Sequence, residues 1–197
     1  MKTFTKILIL ALTLQTANVF AQATDVEVVN FTAVLSNVLN LSITAGADQT
    51  ATFNTPILYN EGIDVVGATG VTMESTTNWK LSISAPNFTG PGAAIIPINN
   101  LGVWCSATGI HTIGGEVVCS NTSLATSRGI TVAVQDLITN GTGNAGAAID
   151  NAFDLHWTMG TMEGTMNPAS IFAQLANGTI ASVGTFTTVV TLTLTAL

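Results

Sequence analysis

The sequence closes on Thr185-Phe-Thr-Thr-Val-Val-Thr-Leu-Thr-Leu-Thr-Ala-Leu197, in which Thr alternates with apolar residues. A side-chain period of two places Phe186, Val190, Leu192, Leu194 and Ala196 on one face and Thr191, Thr193 and Thr195 on the other. That is a half-buried strand, and it is incompatible with an amphipathic helix. β-branched Thr suits a pleated surface, and its hydroxyls supply the wet face that charges supply elsewhere.

The same period recurs in Leu39–Ile43, Trp79–Ala85, Ile130–Val134 and Phe153–Met159. Turn-prone segments separate these runs: Gly46-Ala-Asp48, Ala85-Pro-Asn87, Gly90-Pro-Gly92, Gly114-Gly115 and Asn140-Gly-Thr-Gly-Asn144. Short strands with turns between them predict an all-β chain forming a single β-sandwich, Greek-key/immunoglobulin-like or jelly-roll-like. One short helix is predicted before the last strand, over Asn167–Gly178. Asn167 is its expected N-cap, Pro168 its first turn and Gly178 its stop.

At the other end, Lys2 and Lys6 precede an apolar run, Ile7–Leu14, that is too short to span a bilayer. Val19-Phe-Ala21 then offers a cleavage site, so residues 1–21 read as a signal peptide and residues 22–197 as one secreted domain. Ala21-Gln-Ala23 is an equally good site. Neither leaves a Cys at the new N-terminus for lipid attachment.

Beyond residue 21 only Lys80 and Arg128 remain as cations, against eleven acids, giving a net charge of −9. No basic stripe exists for a phosphate backbone or an anionic lipid surface, so nucleic acid is excluded as a partner. No later stretch is long enough for a membrane helix. Aromatic residues make up only 6%, too few for the two girdles of a membrane β-barrel, so membrane insertion is not expected. Charged residues make up 8%, against about 25% in an ordinary domain. Low charge with high strand propensity favours edge-to-edge pairing, so self-association or binding to other surface proteins is expected.

The two cysteines, Cys105 and Cys119, are expected to form one disulfide in an exported chain, pinning the Gly-rich stretch between them into a hairpin. In the chain-entropy treatment such a loop contributes about 3 kcal/mol.

Motifs for chemistry are sparse. Gly141-Thr-Gly-Asn-Ala-Gly146 spells G-x-G-x-x-G, but another strand pattern follows it where a dinucleotide fold needs a helix; it reads as a hairpin loop. His111 and His156 lack zinc-ligand spacing and read as two unrelated histidines, so no metal is assigned. No Gly-x-Ser-x-Gly elbow is present. Asp150, Asp154 and Glu163 are the acids from which a glycosidase pair would have to be drawn, and Asp150, Asn151 and Asp154 the residues for a calcium site, although the spacing fits no EF-hand. No catalytic residue and no cofactor is assigned, and the chain is read as a non-enzyme. Trp79 and Trp157 alternate with apolar partners and read as core. Trp104 is expected against the disulfide or near the surface, and with Asp150 and Asp154 it forms the candidate ligand-binding set. Six Asn-x-Ser/Thr triplets, at Asn30, Asn40, Asn87, Asn121, Asn140 and Asn177, are glycan acceptors only in a host with that machinery.

Trp79-Lys-Leu81, with the Ser-Ile-Ser-Ala-Pro-Asn-Phe-Thr-Gly90 that follows it, resembles the first Trp-x-Leu block of WxL-domain surface proteins. The closing Phe186–Thr195 segment is similar to that family's C-terminal strand, with Leu192 where the family has its second Trp. The same closing pattern resembles spore-coat-U-like and fimbrial β-sandwich subunits. The resemblance covers these two blocks and not the Cys105–Cys119 region. It implies a cell-surface β protein, and in WxL proteins a noncovalent attachment to peptidoglycan; no binding residue is carried over. The expectation is an exported structural or adhesive cell-surface protein, a coat or filament subunit that self-assembles. The alternative is a module binding an extracellular or cell-wall glycan through Trp104 and nearby Asn and Asp residues.

Overall fold

A computed structural model describes residues 30–197; the signal segment and its cleavage sites lie outside the described residues. The chain divides into a unit ending at Leu35 and a second unit, Ser36–Leu197. Residues 30–35 have no regular structure, and Phe31, Val34 and Leu35 are exposed. The second unit carries eleven strands and two short helices.

The strands are β1 (Leu39–Ala45), β2 (Ile63–Ser75), β3 (Trp79–Ser84), β4 (Phe88–Thr89), β5 (Ile95–Ile96) and β6 (Leu101–Ala107), then β7 (Val117–Val118), β8 (Arg128–Gly129), β9 (Gln135–Asn140), β10 (Ala152–Met159) and β11 (Thr191–Ala196). One antiparallel sheet has the order β1-β2-β10-β6-β8 and a second the order β11-β3-β9-β7; β4 and β5 form a small ribbon. After β2 each strand of the two large sheets lies in the opposite sheet from the one before it. This is an all-β sandwich, as the period-two patterning requires.

Alternation fills the space between the sheets. Val71 and Met73 of β2, Val103 and Cys105 of β6, and Phe153, Leu155 and Trp157 of β10 face Trp79, Leu81 and Ile83 of β3 and Leu137 and Ile138 of β9. Trp79 is completely buried, its ring edge-on to Phe153 at 6.2 Å. The Trp157 indole N–H donates to Thr69 Oγ1 at 2.8 Å, so both core tryptophans satisfy their one donor. A second, smaller cluster, formed by Ile96, Met159, Ile171 and Ile180, lies beneath the helices.

Several sequence expectations shift. The helix before the last strand is α2, Ile171–Ala176, not 167–178. Its N-cap is Ser170, whose hydroxyl accepts from Ala173 N. Asn167 instead accepts from Ala169 N, holding a turn ahead of the helix. Gly178, at φ +80°, does stop it, in the left-handed conformation that favours glycine. An additional helix, α1 (Pro56–Glu61), is capped by Thr55. Ile130–Val134 is not a strand: Ile130 is buried, but Val132 and Val134 stand exposed in the turn before β9. The closing strand is shorter than its pattern. Thr187 pairs with Thr89 beside the small ribbon, and only Thr191–Ala196 lies along β3.

Cys105 and Cys119 are bonded. The bond does not clip a hairpin. Cys105 is in β6 of the five-stranded sheet, and Cys119 follows β7, the edge of the other, so the disulfide ties one sheet to the other.

Candidate functional site

The two flanks of the sandwich differ. On one, the edge strands β7 and β8 are two residues each. That flank carries the disulfide, and Arg128 of β8 reaches across to donate to Gln135 Oε1 and to the Asp136 carbonyl in β9. Short, cross-tied edges offer little for another strand to pair with.

On the opposite flank β1 and β11 are the edges, seven and six residues long, and neither carries a charged residue or a proline. Among the described residues their outer rows of backbone groups have no strand partner. The inward-facing residues there are incompletely covered. Leu41, Leu192 and Leu194 are only partly buried, while Leu39 and Ile43 are 43% and 52% exposed. An apolar seam therefore runs along the open side of the core. β1 starts and β11 ends at the same turn: Thr76 N donates to the Val38 carbonyl, and Leu197 N to that of Asn78.

The predicted ligand residues separate into two places. Trp104 in β6 and His156 in β10 are directly paired on the outer face of the five-stranded sheet, their rings stacked at 3.7 Å and 8°. Ser106, paired with Asp154, places its hydroxyl 3.0 Å from His156 Nε2. Trp104 and Asp154 thus share one face with His156 and Ser106 between them, and Trp104 is not packed on the disulfide. The Trp104 indole N–H is buried without a partner among the described residues. Alternation in Phe153–Met159 already put Asp154 and His156 on one face; the pairing of β6 with β10 that brings Trp104 there is long-range and left no local trace.

Asp150 is elsewhere, in the turn before β10, where its carboxylate accepts from Ala147 N. Next to it, the Asn151 side chain is 2.8 Å from His111 Nδ1. Glu163 lies in the loop between β10 and α2. Among the described residues no three His, Cys, Asp or Glu side chains gather as a metal site would require. The Ser106–His156 contact has the first half of a nucleophile–base pair.

Beside Ser106, a groove of about 520 Å³ opens at the end of the sandwich where the 109–113 loop leaves β6. Ser106, Ala107, His111, Thr112, Ile113 and Thr122 line it, with the Cys105 end of the disulfide at its base. The G-x-G-x-x-G segment lies at the same end, crossing between sheets rather than closing a hairpin. A Cβ at its Gly141 would collide with the Gly115 carbonyl oxygen, so no larger residue fits there. Asn144 within it is fully buried against Trp79.

The geometry defines a disulfide-tied all-β sandwich with one open flank and a neutral groove at one end. No protein-family model matches the chain, and no curated protein matches it. The two segments that resemble WxL proteins are adjacent strands here, with Ala196 opposite Trp79 and Leu194 opposite Leu81.

Proposed function

We propose that this is an exported structural or adhesive cell-surface protein whose copies assemble by adding a strand to the β1/β11 flank. The observation that carries the reading is the contrast between flanks. One is short-edged and cross-tied; the other presents two long uncharged edges beside an apolar seam of Leu39, Leu41, Ile43, Leu192 and Leu194. Strand addition supplies backbone hydrogen bonds along the edge, and alternate side chains fill such a seam. The Val26–Leu35 segment, rich in β-branched and apolar residues, has the composition of a strand that could be added. A disulfide suits the oxidising side of a membrane, and the adjacency of the WxL-like segments favours a surface setting.

Light scattering and negative-stain microscopy of oxidised residues 22–197 test this. Ordered assemblies that are lost on deleting Thr24–Leu35, or on placing a charge at the edge with Thr193→Lys, are the expected result. Deleting Thr185–Leu197 is a poorer test, because Leu192 and Leu194 pack on the core. A monomer at all concentrations overturns the reading.

A further inference from the structure

The groove beside Ser106 has a lining of one chemical kind. Ser106, Thr112 and Thr122 contribute hydroxyls, His111 an imidazole, and Ala107 and Ile113 apolar surface; no acid, Lys or Arg lines it. Its volume falls in the range of small-ligand clefts. One His111 ring nitrogen is taken by Asn151, and the other has no partner among the described residues. Ser106 links this groove to the outer face, where its hydroxyl meets the His156 ring stacked on Trp104.

A charged ligand would find no acid, Lys or Arg in the lining, and a purely apolar one would cover the Thr122 hydroxyl and the second His111 nitrogen without pairing them. A neutral saccharide matches both surfaces, since its hydroxyls pair with neutral side chains and its C–H faces pack on apolar ones. We propose that this groove binds a neutral saccharide unit, with His111 and Thr122 as hydrogen-bonding partners and the Ser106–His156–Trp104 row extending the site along the sheet face. The disulfide, tying β6 to the segment after β7, holds two of the groove's walls in register. The proposal does not rest on strand-mediated assembly and is tested separately from it.

The test is an NMR titration of oxidised residues 22–197 with chitotriose in one arm and cellotriose in the other. Saturable binding to either is the expected result. Chitotriose alone identifies an acetamido sugar, and cellotriose alone an unsubstituted hexose chain. Thr122→Val deletes one hydroxyl while keeping the shape, and His111→Ala deletes the imidazole. Each is expected to weaken binding up to about tenfold, the scale of one lost hydrogen bond. Trp104→Ala is expected to weaken either trisaccharide more than the corresponding single sugar, titrated alongside, because the row lies beyond the groove. Binding of neither trisaccharide overturns the proposal. So does binding unchanged in both Thr122→Val and His111→Ala, with circular dichroism confirming that each variant is folded.

Discussion

Asn144 pairs with Trp79 as another strand would. Its Oδ1 accepts from Trp79 N at 2.9 Å, its Nδ2 donates to the Trp79 carbonyl at 2.9 Å, and its own carbonyl takes the indole N–H at 2.7 Å. Both residues are fully buried.

Asn144→Ala therefore strands two buried polar groups of Trp79, its backbone N–H and carbonyl, while the indole N–H keeps its bond to the residue-144 carbonyl. Urea denaturation is expected to show a loss of about 2–4 kcal/mol, because each unsatisfied buried group costs about 1–3 kcal/mol and partial hydration relieves some of it. A loss below about 1 kcal/mol would show that the loop relaxes and lets water in.

Trp79→Ala and Trp104→Ala separate core from surface. The first empties the space between the sheets and is expected to cost about 3–5 kcal/mol. The second removes a half-buried ring from the outer face and is expected to cost markedly less. Similar losses on thermal denaturation would mean that the outer face is as tightly built as the core.

Reducing the Cys105–Cys119 bond is expected to lower stability by about 3 kcal/mol, from the entropy of the loop it closes. Because the bond joins the two sheets, amide exchange should accelerate first in β7 and the loop after β6, and last in β2 and β10. Exchange that accelerates uniformly would mean that the flank is held by other contacts.

Asp136 titrates below the ordinary carboxylate range, because the Ser82 hydroxyl and then the Lys80 ammonium stabilise its charged form. Glu116 is lowered as well, chiefly by the Thr112 backbone N–H. A carboxylate lowered by folding adds stability above its unfolded value, and that stability is lost as pH falls through the folded one. The midpoint of urea denaturation should therefore decline below the usual carboxylate range. Asp136→Asn should flatten that decline slightly, since the pair is largely exposed and screened. An unchanged profile would assign the acid sensitivity to other groups.

The patterns that survived from sequence to structure are those enforced by burial. Leu81 and Ile83, and Phe153, Leu155 and Trp157, alternate because each strand has one face in the core, and that period is local. Ile130–Val134 alternated as cleanly without becoming a strand, because Val132 and Val134 meet no opposing sheet. The helix start moved because Ser170, not Asn167, faces the first-turn amides. Strand order was not legible. The pairing of β6 with β10, and with it the Trp104–His156 stack, joins residues about fifty positions apart. Asp150 and Asp154 lie four positions apart in sequence, but one sits in a turn and the other on an open sheet face. The groove was not legible either: it gathers Ser106, His111 and Thr122 around a disulfide whose sequence spacing suggested only a hairpin.

On the proposed reading, a body with a single receptive flank has a limited repertoire. Two copies meeting flank to flank around a two-fold axis satisfy each other and stop, whereas unlimited growth requires that each copy give one surface and receive on a different one. On that reading the short, cross-tied edges of β7 and β8 do not supply the second surface. If the protein forms filaments rather than pairs, the giving part must therefore come from outside the sandwich, and the stretch before Ser36 would set the spacing from one copy to the next.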